Sequence, residues 1–147
     1  MRSGVARPTF DDVKLILQLY EMRREPRMRE ARQWFSASFK AKTMQDVAAL
    51  CPPGSEQNAS FRMVTTYWEM VASFLTGGVV NTELFYQSGR ELLFVWERVR
   101  DLVPAIREQY ANPLEMTNLE SAATAFIEWW TAHAPGAYEA FSKRVRG

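Results

Sequence analysis

Cys51, His133, Glu69 and Glu97 are the side chains whose type and placement invite chemistry. Cys51 is the single cysteine and His133 the single histidine in a chain of 147 residues. A zinc site needs several Cys or His ligands. A di-iron carboxylate bundle needs two Glu-x-x-His motifs, and the chain has none. Cys51 stands at the end of a short helical pattern, before Pro52-Pro53, where the helix dipole disfavours a thiolate. A structural or merely exposed thiol is therefore expected, not a nucleophile. His133 falls near a helix C-terminus, where a positive charge complements the dipole. Glu69 follows Trp68 and Glu97 follows Trp96, so both carboxylates should flank one interface. Buried paired carboxylates can perform acid–base work. With Arg62, Arg98 and Arg100 at hand, ion pairs at the edge of the apolar stripe are the simpler expectation. Gly77-Gly78 and Gly89 match neither GxxxxGK[ST] nor GxGxxG, so no phosphate cradle is expected. These residues point to no catalytic group, metal or cofactor.

The elements that must position them are helical. From Asn58 to Tyr110 the pattern is that of an antiparallel hairpin. Phe61, Val64, Trp68, Val71 and Leu75 recur at steps of three and four, and so do Leu92, Trp96, Val99, Val103, Ile106 and Tyr110. Each set lies on one face of a helix that must be covered. Between the arms, Gly77-Gly78 suits a left-handed helix end, and Asn81 suits the N-cap of the next helix. Ser88-Gly89-Arg90-Glu91 predicts a capping box and a break after a short helix near residues 82–87. Pro104 predicts a kink, because the Arg100 carbonyl loses its donor.

Ahead of the hairpin, residues 1–8 are expected to form a mobile tail. Thr9 and Asp12 predict a capping box, followed by an apolar stripe of Val13, Ile16, Leu17 and Tyr20. Pro26 predicts a break near Glu25 and fits the first turn of a second helix carrying Met28, Ala31, Trp34, Phe35 and Phe39. Thr43 to Asp46 caps a short helix to Leu50, which Cys51-Pro52-Pro53-Gly54 ends. After Asn112-Pro113, Thr117 and Glu120 open a helix with Leu119, Ala122, Ala123, Phe126, Ile127 and Trp130 inward. Ala134-Pro135-Gly136 breaks it ahead of a last short helix with Tyr138, Phe141 and Val145. No segment alternates with period two. The expected fold is all-α: one domain over residues 1–147, a bundle of about five to seven helices centred on the hairpin.

A chain of this length buries roughly 70% of its unfolded surface. It has no apolar run long enough to span a membrane and no secretory signal, so a cytoplasmic location is expected. Charge is uneven: residues 1–42 hold ten basic and five acidic side chains, and residues 43–142 five basic and twelve acidic. The basic segment with Arg23, Arg24, Arg27, Arg29 and Arg32 is a candidate patch for nucleic acid or another acidic surface. Glu21, Glu25 and Glu30 dilute its field, which makes nucleic acid the weaker reading. Nine Phe, five Tyr and five Trp favour a non-enzymatic interaction module. Trp129 and Trp130 project about 100° apart, so one core face cannot take both equally. With Trp130 inward, Trp129, Tyr138 and Phe141 are the candidate contact surface, for a homodimer or for another protein. A small-molecule pocket between helices is a third reading.

The run Leu19-Tyr20-Glu21-Met22-Arg23-Arg24-Glu25-Pro26-Arg27-Met28-Arg29-Glu30-Ala31-Arg32 resembles the opening of an uncharacterised bacterial all-α family, a domain of unknown function. Tyr67-Trp68-Glu69, the glycine turn, Val95-Trp96-Glu97-Arg98 and Pro104 before Ile106-Arg107 are similar too. The resemblance covers about residues 10–130. It implies a helical fold and carries over no catalytic residue. Some members of that family place a membrane-spanning helix ahead of the domain; this chain departs from that pattern.

Overall fold

The computed structural model describes residues 7–147, and the first six residues of the expected tail lie outside that range. Among the described residues there are nine helices and no strand: α1 Phe10–Arg23, α2 Pro26–Ser38, α3 Met44–Leu50, α4 Glu56–Thr76, α5 Thr82–Tyr86, α6 Glu91–Val99, α7 Val103–Gln109, α8 Thr117–His133 and α9 Ala137–Arg146.

Most boundaries follow from local chemistry. Thr9 and Asp12 close a full capping box on α1, and Thr43 and Asp46 do so on α3. Pro26 sits in the first turn of α2, while the Glu25 carboxylate accepts from the Arg27 and Met28 amides. Here the missing proline N–H is one that would have no helical partner anyway. Gly78 takes φ +72, and the Val79 amide returns to the Phe74 carbonyl, ending α4. Asn81 then caps α5 through the Leu84 amide.

The second arm is more broken than expected. The chain leaves helical form after Val99, and Pro104 falls in the first turn of a new helix. The residue expected to kink one helix therefore begins another, and Tyr110 at its end is exposed. The box expected at Ser88 does not form: α6 has no side-chain cap, because Glu91 is drawn elsewhere. Gly89 is required for a different reason. A Cβ there would lie 2.3 Å from the Phe85 ring.

The core is organised along α4, which is about 30 Å long. Its broadest contacts are with α2 and α8, and its contact with α6 is smaller. Val64, Trp68, Val71 and Leu75 are buried as their spacing predicts, and Thr65, Tyr67 and Ala72 are buried as well. A helix packed against several others has more than one covered face. Helix α6 packs on α8 and α9.

Candidate functional site

The two glutamates that follow tryptophan have separate duties. Glu69, on α4, reaches the start of α8. Its carboxylate accepts from the Leu119 amide at 2.8 Å, the Asn118 amide at 3.2 Å and the Asn118 side chain at 3.0 Å. Helix α8 has no cap of its own, since Met116 stands at its N-cap with φ +57. The helix opens at Thr117 as expected, but Thr117 and Glu120 form no capping box. Thr117 Oγ1 donates to the Leu114 carbonyl, and Glu120 pairs with Arg107 at 2.8 Å. Glu69 therefore supplies, from a neighbouring helix, the anion that an N-terminus favours.

Glu97 is 2% exposed. It accepts from the Tyr138 hydroxyl at 2.5 Å and the Ser142 hydroxyl at 2.7 Å, both on α9, and Arg100 Nε lies 3.8 Å away. Burial raises the Tyr138 phenol pKa, and the carboxylate it donates to raises it further. Arg146 donates to the Glu97 carbonyl and pairs with Asp101, so α9 is fastened at both ends of its inner face. The two carboxylates thus belong to different interfaces and form no acid–base pair.

The five arginines of the basic segment divide. Arg32 grips Glu91 with two bonds, Nε at 2.7 Å and Nη2 at 2.8 Å, and also donates to the Arg23 carbonyl. Arg23 donates to the same carboxylate at 2.8 Å and lies over the Tyr20 and Trp68 rings. Arg24, Arg27 and Arg29 are exposed. Arg98, outside this segment, donates to the Phe35, Ser36 and Phe39 carbonyls at the end of α2 and to the Val145 carbonyl in α9. Burial lowers its pKa.

Trp129, Tyr138 and Phe141 do not come together on one exposed face. Trp129 is half-buried against Tyr86, Phe126 and His133. Helix α9 folds over the neighbouring Trp130 instead, with Phe141 5.4 Å and Tyr138 6.4 Å from its ring. Phe141 is buried and Tyr138 half-buried. His133 is exposed at the end of α8, its Nδ1 2.7 Å from the Trp129 carbonyl, a contact that needs the proton on Nδ1. Cys51 is buried, and burial raises its thiol pKa, away from nucleophilic chemistry. Among the described residues, no group of three or more His, Cys, Asp or Glu is placed to hold a metal ion.

Most of the large apolar side chains left exposed stand on α1, while Val79, Tyr110 and Leu114 are exposed elsewhere. Its inner face is Leu15, Ile16 and Leu19, of which only Leu19 is fully buried. Three polar ties hold it. Asp12 accepts from the Asn81 amide at 2.8 Å, Arg23 pairs with Glu91, and the Leu19 carbonyl accepts from the Tyr67 hydroxyl at 2.5 Å. The outer face carries Phe10, Val13, Leu17 and Tyr20, which are 86%, 40%, 57% and 46% exposed. The stripe expected from Val13, Ile16, Leu17 and Tyr20 is thus split between two faces. The end of α1 borders a groove of about 320 Å³. Leu17, Tyr20 and Arg23 form its α1 wall, and Tyr67, Trp68 and Phe85 lie across it.

Fold and surfaces define an all-helical domain in which Glu69, Glu91 and the buried Glu97 each fasten one helix to another. No helix among the described residues is long and apolar enough to cross a membrane. The chain belongs to the family described as Domain of unknown function (DUF4760), whose model matches residues 8–129. The similar stretches at residues 19–32 and 67–107 lie inside that match. No curated protein and no solved structure matches the chain.

Proposed function

We propose that this domain is a non-enzymatic helical interaction module that associates with a second copy of itself through α1. The observation that carries the reading is the outer face of α1, where four large apolar side chains stand open to solvent on one side of a two-faced helix. Soluble monomers seldom leave such a contiguous patch uncovered.

The spacing of the stripe favours a second copy as the occupant. Phe10, Val13, Leu17 and Tyr20 follow one another by three, four and three residues, an order that reads the same in both directions. A two-fold axis between Val13 and Leu17 sets Val13 of one copy against Leu17 of the other, and Phe10 against Tyr20. Tyr20 lines the groove of about 320 Å³, so Phe10 of each copy meets an apolar recess on the other. An aromatic anchor in a recess is the usual centre of binding energy. The antiparallel arrangement also sets the acidic first turn, with Asp11 and Asp12, toward the end that carries Arg23 and Arg24.

Sedimentation or light scattering tests this. The wild type is expected to approach twice the 17.0 kDa monomer mass at micromolar concentration. Leu17→Asp should weaken the dimer by about 100-fold, since it places a charge at the centre of the contact. Its circular dichroism should be unchanged, because Leu17 is already exposed. A wild type that stays monomeric, or a dimer indifferent to both Leu17→Asp and Phe10→Ala, would overturn the reading.

A further inference from the structure

The groove between α2 and the start of α6, bordered by α9, holds about 460 Å³, a size typical of small-molecule sites. Its floor is apolar, made by Phe35, Val64, Phe94, Val95 and Phe141. Its rim is cationic, made by Arg29, Arg32 and Arg90. The one carboxylate in the lining, Glu91, is already engaged by both Arg23 and Arg32. That pairing leaves little negative charge to repel an incoming anion.

The other two guanidinium groups differ from Arg32. The Arg29 guanidinium makes no ion pair or hydrogen bond to any described residue, and the Arg90 guanidinium only stacks on the Trp130 ring at 4.5 Å. One stands on α2 and the other at the N-cap of α6. The groove therefore pairs an uncharged floor with two cationic groups that have donors to offer. We infer that it binds a small amphipathic carboxylate, with the acyl chain on the phenylalanine and valine floor and the head group between Arg29 and Arg90. Guanidinium groups present planar pairs of N–H donors that match a carboxylate, and such charge-assisted bonds are stronger than neutral ones. The floor alone would take any short chain; the two arginines select the anion. This site is separate from the outer face of α1 and does not depend on the dimer.

Decanoate, kept below its micelle-forming concentration, is the probe. Titration followed by backbone amide resonances should give saturable shifts at residues 29–36 and 90–95. Decanol and decyltrimethylammonium, with the same chain and no anion, should bind at least about tenfold more weakly. Arg29→Gln with Arg90→Gln should weaken decanoate by at least about tenfold, toward the neutral alcohol. Ser36→Trp, at an exposed lining position, should block the floor and abolish binding while leaving the helical spectrum intact. Leu17→Asp should leave decanoate binding unchanged, which separates this result from that of the α1 dimer. Absence of saturable shifts, equal binding of the three amphiphiles, or indifference to the arginine changes would each overturn the assignment.

Discussion

Helices α1 and α9 lie at opposite ends of the described chain, and each reaches the core through few side chains. They differ in what faces solvent. The outer side of α9 is polar, with Glu139, Lys143 and Arg144 exposed, while Phe141 is buried over Trp130. Its polar ties run to a buried carboxylate, Glu97, and are themselves largely sheltered. Helix α1 buries Leu19 alone and leaves Phe10, Val13, Leu17 and Tyr20 outside. Its ties to Asn81, Glu91 and Tyr67 fix its position without covering it. One terminal helix has a single apolar face, already satisfied. The other has two, and the body of the domain covers only one. The place to look for a partner is thus the helix whose apolar residues exceed what its own fold buries.

The comparison breaks most sharply at Glu97. Replacing it by alanine leaves the Tyr138 and Ser142 hydroxyls without their acceptor and Arg100 without its counter-charge. Loss of one partner from a buried charged cluster costs about 3–5 kcal/mol. For a chain of this size that lowers Tm by roughly 10 °C. Glu97→Gln keeps one carbonyl acceptor and should lose less. Hydrogen exchange should quicken first along α9, while the dimer expected of α1 persists as long as the fold does. A Glu97→Ala protein as stable as the wild type would mean that α9 is held by Phe141 packing and by the Arg146 and Arg98 bonds, not by the Glu97 carboxylate.

An intermediate effect is expected at Tyr67, the most deeply placed tie of α1. Tyr67→Phe removes the hydroxyl that donates to the Leu19 carbonyl and should cost about 1 kcal/mol. Burial pushes the Tyr67 phenol up to about 12 from an ordinary 10.0, with Arg23 pulling it back and Glu91 adding to the rise. A folded pKa above the unfolded one gives stability that is complete below pH 10.0 and is lost as pH rises toward 12. The wild type should therefore lose Tm faster than Tyr67→Phe across that alkaline window. Parallel melting curves would show that the phenol does not titrate with unfolding.

Much of the fold was legible because it is written in neighbouring residues. The Thr9–Asp12 and Thr43–Asp46 boxes, Pro26 at the head of α2, the turn at Gly78 and the Asn81 cap each need only a few adjacent side chains. Where a distant group competes, local reading fails. Glu91 could have closed a capping box with Ser88, but two arginines 59 and 68 residues away hold it more strongly. Glu69 and Glu97 look alike in sequence, each after a tryptophan, and part only because α8 meets one and α9 the other. Pro104 was readable as an interruption, but whether the helix bends or restarts depends on packing around Leu102 and Val103, both buried. The outer stripe of α1 was half legible. Val13, Leu17 and Tyr20 are plainly apolar, but so are Leu15, Ile16 and Leu19, and periodicity cannot tell which of two apolar faces is covered.

The smallest expected effect lies at Asp12, the tie at the open end of α1. Its carboxylate accepts from the Thr9 amide at 2.7 Å and, through its other oxygen, from the Asn81 amide at 2.8 Å. These bonds, the Thr9 one first and the Asn81 one second, hold its pKa below the ordinary 3.8. A depressed folded pKa gives stability that is present above 3.8 and disappears as pH falls through the folded value. Asp12→Asn retains one acceptor oxygen, so it can serve Thr9 or Asn81 but not both. At neutral pH the variant should melt slightly below the wild type, and the gap should close as pH drops under 3.8. The Asn81 amide should exchange faster in the variant while the amides of α9 do not change, since the Asp12 carboxylate bonds to Thr9 and Asn81 and not to α9. If Asn81 exchange is the same in both proteins, the N-terminal end of α1 is held by its apolar inner face alone. The contrast with α9 would then rest on the outer stripe and not on the polar ties.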